Sequence, residues 1–106
     1  KIEKGEIPGK SEYEVDICFA IRDINPQTPV HILIIPRKPI PRLSEATTED
    51  ESIMGHLLFA AQKVAKQLEL EKGFRVIINN GKDAGETVPH MHVHLLGGKS
   101  MGEKLV

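Results

Sequence analysis

The chain has 106 residues, 40% apolar and 27% charged, with a formal charge of −1 and a single cysteine, Cys18. This composition predicts one ordinary globular domain over residues 1–106 with a core of its own. It excludes an internal disulfide framework, a field that would draw in nucleic acid, and an apolar run near the roughly 18 residues of a membrane span. No signal peptide is visible, and one cysteine agrees with a reducing compartment, so a cytoplasmic protein is expected. The sequence opens at Lys1 rather than at a methionine. A few further N-terminal residues, with any ligand they carry, are therefore expected ahead of it.

Residues 1–6 read as a short helix or arm, stopped by the turn signal Pro8-Gly9. From Ser11 to Arg22, Tyr13, Val15, Ile17, Phe19 and Ile21 alternate with polar or small residues, a strand pattern. A break at Glu14-Val15-Asp16 predicts two strands, near 12–14 and 16–22. Asp23 to Pro29 holds Asn25-Pro26 and a second proline, so it is a loop. Val30 to Pro36 is β-branched and apolar and predicts a buried strand, with His31 near its start. Arg37 to Leu43 is a proline-broken connector.

Thr48 followed by Glu51 reads as a capping box opening a helix over residues 49–70. Ile53, Leu57, Ala61, Val64, Ala65 and Leu68 form its apolar stripe, and Gly73 stands where a C-terminal cap glycine belongs. Phe74 to Asn79 is a strand, and Asn80 to Glu86 a glycine-containing loop. Pro89 to Leu96 is the last strand, ended by Gly97-Gly98, and residues 99–106 form a polar tail. Five strands with one crossover helix give an α+β class and a mainly antiparallel sheet.

The chemistry concentrates in the last strand. Side chains alternate along a strand, so His90, His92 and His94 share one face, with neighbouring imidazoles roughly 6–7 Å apart. Met91, Val93 and Leu95 back them as an apolar layer. Three imidazoles in a row can bind zinc with a water, or do metal-free nucleophilic and acid–base chemistry near neutral pH. The residues alone leave both open. His31 is either a satisfied histidine or a fourth member of the site, and His56, off the helix stripe, reads as a surface residue. Asp23 is either a turn-capping residue or an acceptor for a sugar diol. Gly85-Glu86-Thr87 is either a flexible loop or a phosphate cradle of backbone N–H and hydroxyl. Neither a Walker loop nor a GxGxxG motif is present.

The run His90-Met91-His92-Val93-His94-Leu95-Leu96 resembles the signature of the histidine-triad (HIT) family. Gly5-Glu6-Ile7-Pro8, the block Asp23 to His31, Ile35-Pro36-Arg37-Lys38 and Gly97-Gly98 resemble its Hint branch, so the likeness spans essentially the whole chain. The resemblance implies a HIT-like α+β fold with a five-stranded antiparallel sheet, one long helix and a short N-terminal helix, assembled as a homodimer. It implies binding of purine nucleoside monophosphates and hydrolysis of AMP phosphoramidates.

By position, His92 resembles the nucleophile, and His94 the histidine at the phosphate and leaving group. His90 and His31 resemble a pair that orients the middle imidazole. Asp23 resembles the ribose-diol acceptor, and Ile2, Ile24 and Leu33 the base pocket. Asn79, Gly85 and Thr87 fall at the phosphate, with Thr87 where Hint proteins often have Ser. No cofactor is implied by the triad itself. Some family members bind zinc through N-terminal cysteines and histidines matching His31 and His90. A dinucleoside polyphosphate hydrolase of the Fhit branch and a nucleotide-binding scaffold protein with incidental activity are the alternative functions. The tail lacks the aromatic residues of animal Hint proteins, which leaves the leaving group open.

Overall fold

The computed structural model describes residues 17–106. Strands β1 (Cys18–Arg22), β2 (Val30–Pro36), β3 (Phe74–Ile77) and β4 (Val93–Gly97) form one sheet in the order β1-β2-β4-β3. Every neighbouring pair is antiparallel. Helix α1 (Glu51–Gln67) packs on one face. This is the expected α+β class, with four strands among the described residues instead of five. The strand expected near 12–14, the N-terminal helix and Ile2 lie outside the described residues.

The two faces follow from alternation. Ile32 and Ile34 of β2 and Val93 and Leu95 of β4 point to the helix and are fully buried. Leu57, Ala60, Ala61, Val64 and Ala65 meet them from α1, joined by Cys18 and Ala20 of β1. Each Leu or Ile buried here contributes roughly 1.5–3 kcal/mol before entropy is counted. The other face carries Ile21, Leu33, His94 and Ile77 as one row across all four strands, since Ile21 pairs with Leu33, and His94 with both Leu33 and Ile77. Gly97, the last residue of β4, lies against Leu70, whose Cδ1 would stand 2.8 Å from a Cβ at this position.

The helix ends differ from the expected ones. A capping box forms one residue earlier, between Thr47 and Asp50, with the Asp50 carboxylate accepting the Thr47 N–H at 2.9 Å. Asp50 is preferred over Glu51 because its short side chain is already fixed by Lys38, whose Nζ donates to it at 2.6 Å. A 3₁₀ turn, Thr48–Asp50, therefore precedes α1. At the other end Glu69 takes the left-handed conformation at φ 58°. The N–H of Glu69 bonds to Lys66 O at 3.0 Å and that of Leu70 to Ala65 O at 3.0 Å, the paired bonds of a Schellman motif. The cap is thus Glu69, and Gly73 instead turns the chain into β3. Among the described residues no helix is long and apolar enough to cross a membrane.

Candidate functional site

β4 starts at Val93, so His90 and His92 precede the strand and do not lie in it. The expected alternation survives: Met91, Val93 and Leu95 are buried, and His90, His92 and His94 are half-buried on the opposite side. Local hydrogen bonds replace the ladder here. Pro89 has no N–H, the His90 N–H turns back to Val88 O at 2.8 Å, and the Met91 N–H donates to Ile40 O at 2.7 Å.

The three imidazoles have separate partners. His92 Nδ1 lies 2.8 Å from the backbone carbonyl of His90, which can only accept. Nδ1 therefore carries a proton, and in the neutral ring the lone pair is on Nε2. His90 donates from Nε2 to the Pro36 carbonyl at 3.0 Å. His94 packs against His92 with ring centroids 5.0 Å apart and against His31 at 5.1 Å. His94 Nδ1 is 2.9 Å from His31 Nε2, and its Nε2 is 3.5 Å from the Asn79 amide. The expected supporting pair is therefore divided. His31 supports His94, and His90 positions the middle imidazole through its backbone oxygen, with its own ring turned to Pro36.

Asp23 caps its turn and also reaches His31. Its Oδ1 caps the turn by accepting the Asn25 N–H at 2.8 Å, while Oδ2 lies 3.3 Å from His31 Nε2. His31 is 5% exposed, and its Nδ1 accepts the Gln27 N–H at 3.0 Å. Burial pushes His94 below the ordinary histidine range, the neighbouring His92 and His31 push the same way, and Asp23 opposes them. His94 is accordingly neutral at physiological pH.

Leu33 sits directly beside His94 as its cross-strand partner. Ile24 is not gathered into this group: it is 99% exposed at the tip of its turn. His56 lies on α1 with Nδ1 3.3 Å from Ser52 O, away from the other four histidines.

The loop before the triad is closed differently from expectation. Gly85 takes φ 85° after the 3₁₀ turn Lys82–Ala84, and its N–H bonds to Lys82 O at 3.0 Å. The Glu86 N–H bonds to Gly81 O at 3.1 Å. Both amides are spent on the turn, so Gly85 supplies its conformation and not a phosphate-binding N–H; Thr87 stays exposed beside them. Glu86 is the organiser. Its carboxylate accepts from Arg42 Nε at 3.0 and 3.1 Å and from the Gly81 N–H at 2.7 Å. Arg42 lowers the Glu86 pKa from the usual carboxylate value, helped by the Gly81 bond. Arg42 also grips Glu45 at 2.6 Å, and Asn80 Oδ1 accepts the Ser44 N–H at 2.8 Å. Arg42 and Gln27 are the participants that sequence reading misses. Arg42 lies 44 residues from its partner, and Gln27 acts through an amide that every non-proline residue has.

A family model described as the HIT domain matches residues 4–101. The chain belongs to the HIT family. An uncharacterized HIT-like protein of Synechocystis sp. is 52% identical over 99 residues, covering 93% of this chain and 87% of that one. A solved HIT family hydrolase from Clostridium thermocellum superposes with a TM-score of 0.85 at 46% identity, covering 94% of this chain and 88% of its own. A zinc-bound histidine triad family protein from Mycobacterium smegmatis gives a TM-score of 0.68 at 29% identity, covering 86% and 66% of the two chains.

Zinc in that relative makes the metal question concrete for this HIT chain. Asp23, His31 and His94 bring their donor atoms within 4.8 Å of one another. The grouping differs from the expected His31 and His90, because His90 faces Pro36. As arranged, the cluster does not fit a metal. His31 and His94 approach to 2.9 Å, a hydrogen-bond distance. Two nitrogens of a tetrahedral zinc stand about 3.3 Å apart. A metal on His31 Nε2 would also need that lone pair while Gln27 holds the one at Nδ1, leaving an imidazolate.

Proposed function

We propose that the protein is a hydrolase of purine nucleoside phosphoramidates, cleaving the P–N bond between AMP and an amine. The observation that carries this reading is the fixed His92: Nδ1–H is committed to the His90 carbonyl at 2.8 Å, so Nε2 is presented as a nucleophile. Nε2 attacks the α-phosphorus. The P–N bond breaks, and the amine leaves with its electron pair and takes up a proton from solvent, balanced by the proton released when water attacks in the second step. Water then attacks the nucleotidyl-histidine, releasing AMP and restoring His92.

Around that centre, Asp23 offers the exposed edge of its carboxylate to the ribose hydroxyls. Leu33 lies under the bound nucleotide, Ile24 contacts the base, and Asn79 and the Thr87 hydroxyl face the phosphate. His90 and His31 serve as supports. The relative from Clostridium thermocellum, a HIT family hydrolase, and the family's nucleotide chemistry support this reading. The protein acts as a homodimer in the cytoplasm. Support for a dimer comes from β3, a sheet edge among the described residues, whose Phe74 is 42% exposed.

Screening AMP and GMP phosphoramidates against diadenosine polyphosphates tests the reading. Faster turnover of the phosphoramidates supports it, whereas preference for the dinucleotides moves the protein to the Fhit-like alternative. Tight AMP binding with negligible turnover of either would make it a binding protein.

A further inference from the structure

The loop from Asp23 to Pro29 has no regular structure, yet its polar groups are tied down. Asp23 Oδ1 accepts from Asn25, the Gln27 side-chain amide donates to Asn25 O at 3.1 Å, and Thr28 Oγ1 donates to Val30 O at 2.6 Å. Pro26 and Pro29 fix two further φ angles. The result of this bracing is one backbone amide, that of Gln27, aimed at a buried ring nitrogen, His31 Nδ1, at 3.0 Å.

An N–H aimed at Nδ1 requires a lone pair there. The His31 proton is then on Nε2, which lies 2.9 Å from His94 Nδ1 and 3.3 Å from Asp23 Oδ2. At the shorter contact His94 Nδ1 must accept, so the His94 proton is in turn on Nε2, facing Asn79. We propose that the backbone N–H of Gln27 acts through His31 to hold His94 in the tautomer that carries its proton on Nε2. His92 is held in the opposite tautomer by the His90 carbonyl. One row of histidines thus presents a lone pair from one ring and an N–H from the next, an attacking group beside a hydrogen-bond donor.

Gln27 is a positioning residue in this arrangement, since it acts only through two rings. The role of the donor rests on the phosphoramidase reading. There the His94 N–H meets a phosphoryl oxygen as negative charge builds on it, and a fixed donor outperforms one that must reorient. Asn79 stands with Nδ2, a donor, 3.5 Å from His94 Nε2, so the protonated Nε2 requires the Asn79 amide to be turned over to present its oxygen.

The tautomers are read directly from the full chain labelled with ¹⁵N-histidine, by long-range ¹H–¹⁵N correlation near pH 7.5 without substrate. The expected pattern is Nε2–H for His31 and His94 and Nδ1–H for His92. His94 protonated at Nδ1, or averaging between tautomers, overturns the proposal. Gln27→Pro removes the amide proton and Gln27→Ala keeps it. The alanine variant should retain the pattern. The proline variant, where folded, should lose the single His94 tautomer and lower kcat more than it raises KM. A folded proline variant with an unchanged His94 spectrum also overturns the proposal, and one that does not fold leaves the wild-type spectrum to decide. Because the spectrum needs no substrate, a protein with the expected tautomers and no phosphoramidase activity would defeat the functional reading and leave the tautomer control standing.

Discussion

The two faces of the sheet are held by different physics. Under α1 the contacts are apolar, interchangeable in kind, and made by side chains whose burial is nearly complete. On the histidine face each imidazole has at least one named hydrogen-bond partner, and backbone atoms of Gln27, Pro36 and His90 supply three of those partners. The helix face therefore decides whether the chain folds. The other face decides which atom of each imidazole is available. Removing groups should separate the two.

The largest effect is expected from His92→Ala. Turnover of an AMP phosphoramidate should fall by roughly a thousandfold or more, with AMP affinity and melting temperature little changed. Turnover close to wild type would remove His92 as nucleophile. Leu95→Ala, one residue from His94 but pointing to the helix, is the converse case. It should cost about 2–5 kcal/mol of stability by urea unfolding and leave kcat of the folded fraction near its original value. A large loss of kcat with unchanged stability would show that the two faces are not separable in this way.

Arg42→Ala tests the loop beside the histidine face. It leaves the Glu86 carboxylate, 9% exposed, without its guanidinium partner. Loosening of residues 81–86 should raise KM several-fold, with a smaller effect on kcat. An unchanged KM would mean that the loop does not meet the substrate.

The comparison also has a pH signature. His94 is held below the ordinary histidine value chiefly by burial. Its unfolded form binds a proton first as pH falls through about 6.5, so stability is full above that value and is lost as pH drops through the lower folded value. Wild type should therefore lose more melting temperature between pH 7.5 and 5.5 than His94→Asn does. Equal losses would mean that His94 does not titrate as its surroundings require. The smallest effect belongs to the helix end. Glu69→Gly relieves the left-handed backbone and should stabilise by up to about 1 kcal/mol, with activity unchanged.

Periodicity is what a sequence carries well, and it made the helix face legible. Leu57, Ala61, Val64 and Ala65 were expected inside and are inside, and so is the Met91-Val93-Leu95 layer behind the histidines. Residue identity together with the family resemblance also brought His31, Asp23 and His94 into one group. Choices between near-equal local partners were not legible. Thr47 with Asp50 displaces Thr48 with Glu51 because Lys38 pins Asp50 from outside the helix. Glu69 takes the cap in place of Gly73 because the hydrogen bonds of the last turn close three residues after Lys66. The amides of Gly85 and Glu86, expected at a phosphate, close their own turn. Backbone partners such as the Gln27 N–H leave no trace in residue type, so the roles of His31 and His90 could be assigned only once the chain was folded.

The central claim is that His92 Nε2 is the atom that attacks phosphorus. Rapid quenching of the enzyme during turnover of an AMP phosphoramidate, followed by peptide mass spectrometry, tests it most directly. An adenylyl group on His92, lost in His92→Ala, is the predicted result. An adenylyl group on His90, His94 or His31 would contradict the claim, as would hydrolysis with no covalent adduct under conditions that preserve phosphohistidine.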